Sequence, residues 1–551
     1  MTPVRIDAFG PRRPWASAGD SIVVRAEISC LGDPMDARLW VALVDLDREI
    51  AAAAREVTLT AEPQDVELEL LLPDVPRHGY GLRLHVVSAG PMTSAVSAVE
   101  VLTGWWESPR HAAITDYHDT GAAAAAVRAL AGWHVNVVQH YDWMWRHYRY
   151  RPPSDVDAFD DVLGRRVSHA AVRASVAAGH ERAIASLAYG SVYGAEPEHV
   201  VRHPEDRVFD EAGRPLSLGE TFFINDVRPG SAWRARLLGE YVQALHHFGF
   251  DGIHMDTYGP PHTAFAGDGD PIDFAELYPG LIEEAASVVG RTVPGARVLF
   301  NCVEGFPLES VASAPTAALY LELWPPDDSF ADVVRWIDRA RGVADGRQVV
   351  IAAYAASLKE EVPDAERARA FEPVLLLGSV ISAAGAYHHT LAQIDRLLVE
   401  GYYPAAVQMT PAEADELQAL WRFGARYVHL LSDPGLVSVE PTGVNLVDAT
   451  GASVPWLPDP VAGSVWVREM VGSAGQRVLH LVDLRVQSDA TWTTPKRLTP
   501  PTVSLRLRWD DVTSAVAMSP WAAEGDPLVL GPPDSGAALP LFHRWLVVAS
   551  T

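Results

Sequence analysis

Between about residues 105 and 432, short apolar runs alternate with longer helical ones, and that alternation limits the segment to repeated βα units around a parallel sheet. The strand-like runs are "HAAITDY", "HVNVVQHY", "RAIASLAYG", "GIHMDT", "RVLFNCV", "ALYLEL", "QVVIAAY" and "VISAAGAY". Eight such runs fit a closed (β/α)8 barrel. The helical stretches between them include "TGAAAAAVRALAG", "SHAAVRASVAAG", "SAWRARLLGEYVQALHHFG", "FAELYPGLIEEAASVVG" and "DVVRWIDRARGVA". Several open on Ser, Thr or Asp and close on Gly, as caps require. One connection, about 191 to 229, is too long for a plain βα loop. It either shapes a cleft at the strand ends or is a disordered insertion.

At 551 residues the chain exceeds one ordinary domain. Residues 1–104 offer short alternating segments such as "SIVVRAEIS", "RLWVALVDL", "DVELELLL" and "YGLRLHVV" between Gly, Pro and Asp turns, which predicts a small β-sandwich. Residues 433–551 return to that texture with "GSVWVREMV", "RVLHLVDLRV", "TVSLRLRW" and "HRWLVVAS", which predicts a second one. The expected organisation is thus a catalytic barrel over 105–432 with a β-sandwich on either side.

The formal charge of -27 is spread along the chain, which argues against nucleic acid or an anionic membrane as partner and suits a neutral substrate. Cys30 and Cys302 stand far apart and outside any CxxC pattern, so they read as free thiols. HxH on the first strand, HExxH, GxSxG and the phosphate-loop pattern are all absent, and the adjacent His388 and His389 are weak grounds for a metal. No metal and no cofactor are expected. The opening "MTPVRIDAFGPRRPW" lacks the apolar core of a signal peptide, which predicts an intracellular protein, or a secreted one if a native leader is missing.

Within "GFDGIHMDTYG", His254 and Asp256 share one strand face while Ile253 and Met255 share the other. The apolar pair should pack under helices, leaving His254 and Asp256 inward near the carboxyl end, where barrel enzymes place their chemistry. Applied to "ALYLELW", the same test sends Leu319, Leu321 and Leu323 outward and Tyr320, Glu322 and Trp324 inward. Two strands each deliver an acid to one mouth. Glu322, flanked by Tyr320 and Trp324, is expected to hold its proton; Asp256, with His254 beside it, is expected to stay ionised. That asymmetry suits a retaining glycosidase, whose carboxyls stand about 5 to 5.5 Å apart, as neighbouring strand ends can arrange. An Asp at a strand end also commonly caps the next helix, and that alternative remains open for Asp256.

"GFDGIHMDTYG", "VNVVQHYDWMWRH" and "LYLELWP", in this order on these strands, resemble the signature blocks of glycoside hydrolase family 66. Further similar blocks are "WWESPRHAAITDY", "LGRRVSHAAVRASVAAGHERAIASLAYGSVYGAE" and "VISAAGAYHHTLAQIDRLLVEGYYP", so the likeness covers about residues 105 to 410. The family contains dextranases and cycloisomaltooligosaccharide glucanotransferases. The resemblance implies a retaining mechanism on α-1,6-linked glucan, with Asp256 as nucleophile and Glu322 as acid/base. It also implies an immunoglobulin-like domain before the barrel and a β-sandwich after it. Gln139, Tyr141, Asp142, Trp143 and His147 of the "QHYDWMWRH" block become candidate sugar contacts, joined by Tyr189, His254, Asn301, Trp324, Tyr354 and His388 at other strand ends.

The sequence departs from the family in two places. His140 stands where the family block usually has phenylalanine, which alters either a subsite or its packing. The stretch between "QVVIAAY" and "VISAAGAY" is too short for the carbohydrate-binding module that the transferases insert there, which disfavours cyclisation. The leading expectation is hydrolysis of dextran or isomaltooligosaccharides. Transglycosylation, and a barrel that binds sugar without turnover, are the alternatives.

Overall fold

The computed structural model describes residues 4–154, 156–473, 475–500, 504–522 and 527–551. Its centre is a sheet of eight parallel strands: β1 (His111–Ile114), β2 (Val137–His140), β3 (Ala185–Ser191), β4 (Gly252–Asp256), β5 (Arg297–Val303), β6 (Thr316–Glu322), β7 (Val349–Ala352) and β8 (Tyr387–His389). Each pairs with the next in chain order, and the continuation of β8 at Leu391–Ala392 pairs in parallel with β1, so the two ends of the sheet meet.

Strands buried on both faces read as continuous apolar runs, and all seven residues of β6 are buried. Ile253, Met255, Leu319, Leu321 and Leu323 pack outward in the core shared with the helices. Val137, Leu187, Leu299, Tyr320 and Val350 fill the interior above Trp105. The helices start on side-chain caps where the sequence places them: Asp119, Ser168, Ser231, Asp273 and Ser329 each accept from a first-turn amide. Gly249 ends the helix Ala232–Phe248 at φ 78°, a left-handed turn that a side chain would strain.

One expected strand is displaced. "VISAAGAY" belongs mostly to the end of the helix Asp364–Ala383, and β8 begins only at Tyr387. From Ala370 to Ile381 every side chain of that helix is buried. A helix enclosed on all sides shows no 3.6-residue stripe, so its last turns mimic a buried strand. The long connection after β3 is ordered: it holds a short helix (Pro197–Arg202) and the strand pair Gly194–Ala195 with Phe222–Ile224, and its Val208–Phe209 pairs with Thr263–Ala266 of the connection after β4. No helix of the described residues is long and apolar enough to cross a membrane.

Before the central sheet, a three-stranded and a five-stranded sheet enclose a core that includes Val24, Ile28, Leu39, Val41, Leu82 and Leu84. After it, a sheet built on Val465–Val471, Arg477–Asp483 and Trp545–Ser550 packs over a three-stranded sheet around Leu446, Leu481, Leu507 and Trp509. The chain is therefore a mixed α/β protein of several packed units.

Buried ion pairs join these units. Glu100, on the last strand of the leading sheets, is fully buried against Arg110, which precedes β1. Arg110 donates to Glu100 at 2.7 Å and to the His134 carbonyl at 2.8 Å. Burial pulls its guanidinium down to about 10, so it stays charged at neutral pH. At the other end Arg544 meets Glu372 at 2.7 Å, both buried. Glu100→Ala strands a buried cation and should lower stability by ~3–5 kcal/mol, read as a lower urea midpoint; adding Arg110→Met to Glu100→Met should recover most of the loss.

Candidate active site

The carboxyl ends of the strands open on a cleft of about 430 Å³. Asp256 ends β4 and Glu322 ends β6, so the two acids come from strands separated by β5, not from adjacent ones. Neighbouring strands lie about 4.8 Å apart, so the acids need a link across β5. Asn301 of β5 provides it: its single amide nitrogen donates at 2.7 Å to Asp256 Oδ1 and at 2.7 Å to Glu322 Oε2. Two bonds to one nitrogen cap the separation of those oxygens at twice that length. This limit falls within the spacing of about 5–5.5 Å typical of retaining glycosidases and below the wider gap of inverting ones.

The enclosed cleft raises the proton affinity of both acids by desolvation, and the negative charge of Glu322 adds to the effect on Asp256. Against this, Asn301 donates to both acids and Tyr354 to Glu322 at 2.5 Å, while Tyr189 beside Asp256 and Trp324 beside Glu322 favour the charged forms. On balance Asp256, expected to stay ionised, also has its proton affinity raised, and the two acids titrate as a pair.

His254 does not play its expected part. It shares a strand face with Asp256, but its buried ring packs on Tyr320 at 4.8 Å, and neither ring nitrogen has a hydrogen-bond partner among the described residues. Burial lowers its pKa to about 3, so it is neutral and gives Asp256 no positive neighbour.

Gln139, Tyr141, Asp142, His147, Tyr189, His254, Asn301, Trp324 and Tyr354 all line the cleft. Trp143 and His388 do not. Trp143 is fully buried behind the site, packed on Tyr150, Phe248 and Phe250, with its indole N–H on the Tyr189 carbonyl at 3.1 Å. His388 points away from the sheet interior, bonded to the Ala353 carbonyl at 2.8 Å beside Leu420 and Trp421. Strand alternation sends its neighbour His389 inward instead, where Nδ1 meets the Tyr320 hydroxyl at 2.7 Å. His140 is likewise buried outside the cleft, against Phe250 and Tyr117, so its departure from phenylalanine changes packing.

One wall of the cleft is a buried ionic chain. His147 Nδ1 lies 2.9 Å from Glu196, its Nε2 3.7 Å from Asp142, and Arg165 bridges Asp142 (3.2 Å) and Asp161 (2.7 Å). Burial alone would lower the His147 pKa, but Glu196 and Asp142 outweigh it and hold the ring at about 10. A fixed imidazolium thus orients Asp142 towards the cleft. Glu196 closes the family-like block that ends in "SVYGAE", but its place in the long connection after β3 gives no strand face from which its partner could be read. Phe222 and Leu218 of that connection form part of the same wall. Tyr402 and Tyr403 also line the cleft, Tyr402 with the Arg165 guanidinium 5.9 Å from its ring and Tyr403 against Tyr141 at 4.7 Å. Their adjacent pair in "EGYYP" was the available clue. Glu304 completes the rim with backbone φ 54°.

Asp45, His78 and His429 form a group with metal-ligand residue types, at the junction with the leading sheets. The two imidazoles stack with centroids 3.7 Å apart and planes 12° from parallel. Their in-plane lone pairs run side by side and do not converge on one ion.

The chain matches the family described as Glycosyl hydrolase family 66 over residues 16–528. Two cycloisomaltooligosaccharide glucanotransferases of Niallia circulans are similar: one is 23% identical over 359 residues, 61% of this chain, and the other 27% identical over 289 residues, 49% of it. The matches span 37% and 30% of those relatives' own lengths. Among solved structures, a Paenibacillus sp. cycloisomaltooligosaccharide glucanotransferase complexed with cycloisomaltoheptaose superposes with a TM-score of 0.89, covering 100% of both chains at 18% identity. A maltogenic alpha-amylase from Thermotoga neapolitana superposes with a TM-score of 0.50 over 81% of this chain and 99% of its own, at 10% identity. These likenesses concern the fold.

A carboxyl whose folded pKa lies above its unfolded value stabilises the fold at low pH and loses that contribution as pH rises through the folded pKa. Asp256 is such a group. Asp256→Asn, which cannot ionise, should therefore raise the thermal midpoint relative to the parent at about pH 8 and give little or no gain at about pH 5.

Proposed function

The chain belongs to glycosyl hydrolase family 66, and on that premise we propose that it is a retaining glycosidase acting on α-1,6-linked glucan through a covalent glycosyl-enzyme. The observation that carries this reading is the Asp256–Asn301–Glu322 bridge, which keeps the two acids no farther apart than a nucleophile and a proton donor stand in a retaining enzyme. The name and bound ligand of the Paenibacillus relative support isomaltooligosaccharides as the substrate class. The meeting ends of the parallel sheet support a (β/α)8 barrel over 105–432, with an immunoglobulin-like sandwich over 1–104 and a second sandwich over 433–551.

In this scheme Asp256 attacks the anomeric carbon while Glu322 gives its proton to the leaving glycosidic oxygen. The bond from anomeric carbon to leaving oxygen breaks as the bond to Asp256 forms. The ester at Asp256 is neutral, and the negative charge ends on Glu322 as its proton goes to the leaving oxygen. In the second step ionised Glu322 takes the proton of the incoming hydroxyl, whose oxygen bonds to the anomeric carbon as the ester bond breaks and Asp256 leaves as a carboxylate. Asn301 stays bonded to both acids and keeps them aligned. Tyr141, Tyr189, Trp324 and Tyr403 offer ring faces to the apolar faces of glucose, and Asp142, Gln139 and His147 offer polar tips to its hydroxyls.

Water as the incoming group gives hydrolysis, and a sugar hydroxyl gives transfer. Hydrolysis remains the primary reading; the glucanotransferase names of the relatives favour transfer as the second. Time-resolved product analysis on isomaltooligosaccharides separates them, since transfer yields products longer than the substrate. Asp256→Asn should lose at least about 10³-fold in kcat, and near-normal turnover would remove its assignment. Glu322→Gln should fail on natural sugars yet still be glycosylated by substrates with activated leaving groups, which need no proton. Equal losses on both substrate types would count against its acid role.

A further inference from the structure

Lys359 and Lys496 are the two lysines among 44 Lys and Arg residues. Lys359 is half exposed and pairs with Glu400 at the surface. Lys496 is 2% exposed and sits in a loop of the trailing unit, over residues 489–496. Its Nζ donates to Asp489 Oδ1 at 2.6 Å, to Thr494 Oγ1 at 2.6 Å, to the Thr494 carbonyl at 3.1 Å and to Thr491 Oγ1 at 3.3 Å. These acceptors surround a point, which suits a compact ammonium and not the planar fork of arginine. In a chain that otherwise uses arginine almost throughout, this position needs the other cation.

The loop so folded is pressed against the segment that follows Glu322. The Trp492 amide donates to the Asp328 carbonyl at 2.8 Å, the Phe330 amide to the Ala490 carbonyl at 2.7 Å, and Thr493 Oγ1 to the Asp328 carboxylate at 2.9 Å. Ser329 and Thr491 pair as an antiparallel bridge. On its other side the loop is anchored by the Lys496 amide on the Arg369 carbonyl, at 2.9 Å. From Asp328 the chain runs back through Pro326 and Pro325, whose fixed φ leaves little freedom, to Trp324. Trp324 lines the cleft beside Glu322, packs at 5.1 Å on Tyr354, whose hydroxyl donates to Glu322 at 2.5 Å, and favours the charged form of Glu322. On its far side a Cβ on Gly401 would come within 3.2 Å of the indole, so backbone closes that side too.

We propose that Lys496 is a positioning residue: by folding the 489–496 loop against Asp328–Phe330 it fixes Trp324, and through Trp324 the proton donor Glu322. The inference rests on reading Glu322 as that donor. It gives the trailing unit a part in the reaction through one ammonium nest. The other titratable neighbours of Glu322 are Asp256, Glu304, Tyr354, Tyr403 and Tyr320, all carried by elements outside the loop.

The test compares Lys496→Arg, Thr493→Val, Trp324→Phe and the double variant Lys496→Arg/Trp324→Phe on isomaltopentaose. Assays run below each variant's thermal midpoint. Lys496→Arg keeps the charge and loses the nest; Thr493→Val removes one bond across the junction and leaves the nest intact. Lys496→Arg should lower kcat by about ten- to a hundredfold with KM nearly unchanged. The basic limb of its pH profile should move up by about one unit, because Glu322 loses a neighbour that favours its charged form. Thr493→Val should move both in the same direction by less. In the Trp324→Phe background, Lys496→Arg should add little to either effect. The proposal is overturned if Lys496→Arg and Thr493→Val lower only the thermal midpoint, or if the Lys496 and Trp324 effects simply multiply. If Lys496→Arg does not fold, Thr493→Val alone and on Trp324→Phe decides by the same criteria. Full turnover of this substrate by Glu322→Gln would instead sink the donor reading itself, a result separable from the other two.

Discussion

Two carboxyl groups that would repel each other are held in one enclosed cleft by a single amide nitrogen between them. Without Asn301 the acids of β4 and β6 would have a full strand between them and no shared partner to set their spacing. The rest of the molecule supports that arrangement. The apolar outer faces of β4 and β6 fix the strands against the helices, while Tyr354 adds a donor to Glu322 and Tyr189 favours the charged form of Asp256. The cost of burying like charges falls on the fold, and the buried apolar cores of the central sheet and the flanking units offset part of it.

The placement of the two acids was legible because strand alternation is a local rule. Ile253 and Met255, like Leu319 and Leu321, carry the apolar face, so their neighbours had to point inward. The same rule failed at the last strand. The enclosed helix before it has no polar stripe, so the start of β8 was read several residues early, and His388 was preferred to the inward His389. His254 shows a different limit. Its face was read correctly, but whether a buried imidazole meets a carboxylate or an aromatic ring is a matter of tertiary packing, and here it meets Tyr320. Trp143 illustrates the same point: its block reaches the cleft, while its own side chain turns back into the core.

Glu196 and Arg165 were beyond reach for another reason. They matter only through His147 and Asp142, which are remote from them in sequence, and an ionic chain of that kind has no periodicity to read. The Asp489–Lys496 nest lies between these cases. The rarity of lysine is visible in composition, yet only the coordinates show that Lys496 is buried and which segment its loop grips.

The wall contributed by the connection after β3 is built on its own short pairings around Phe222–Ile224 and on one pairing with the connection after β4, while the acids and their amide link stand on the parallel strands. Reach and chemistry are therefore mounted on separate parts. Under the proposed activity, trimming or extending the segment around Leu218 and Phe222 offers a handle on how long a sugar chain is accommodated, with the two acids and their amide link left in place.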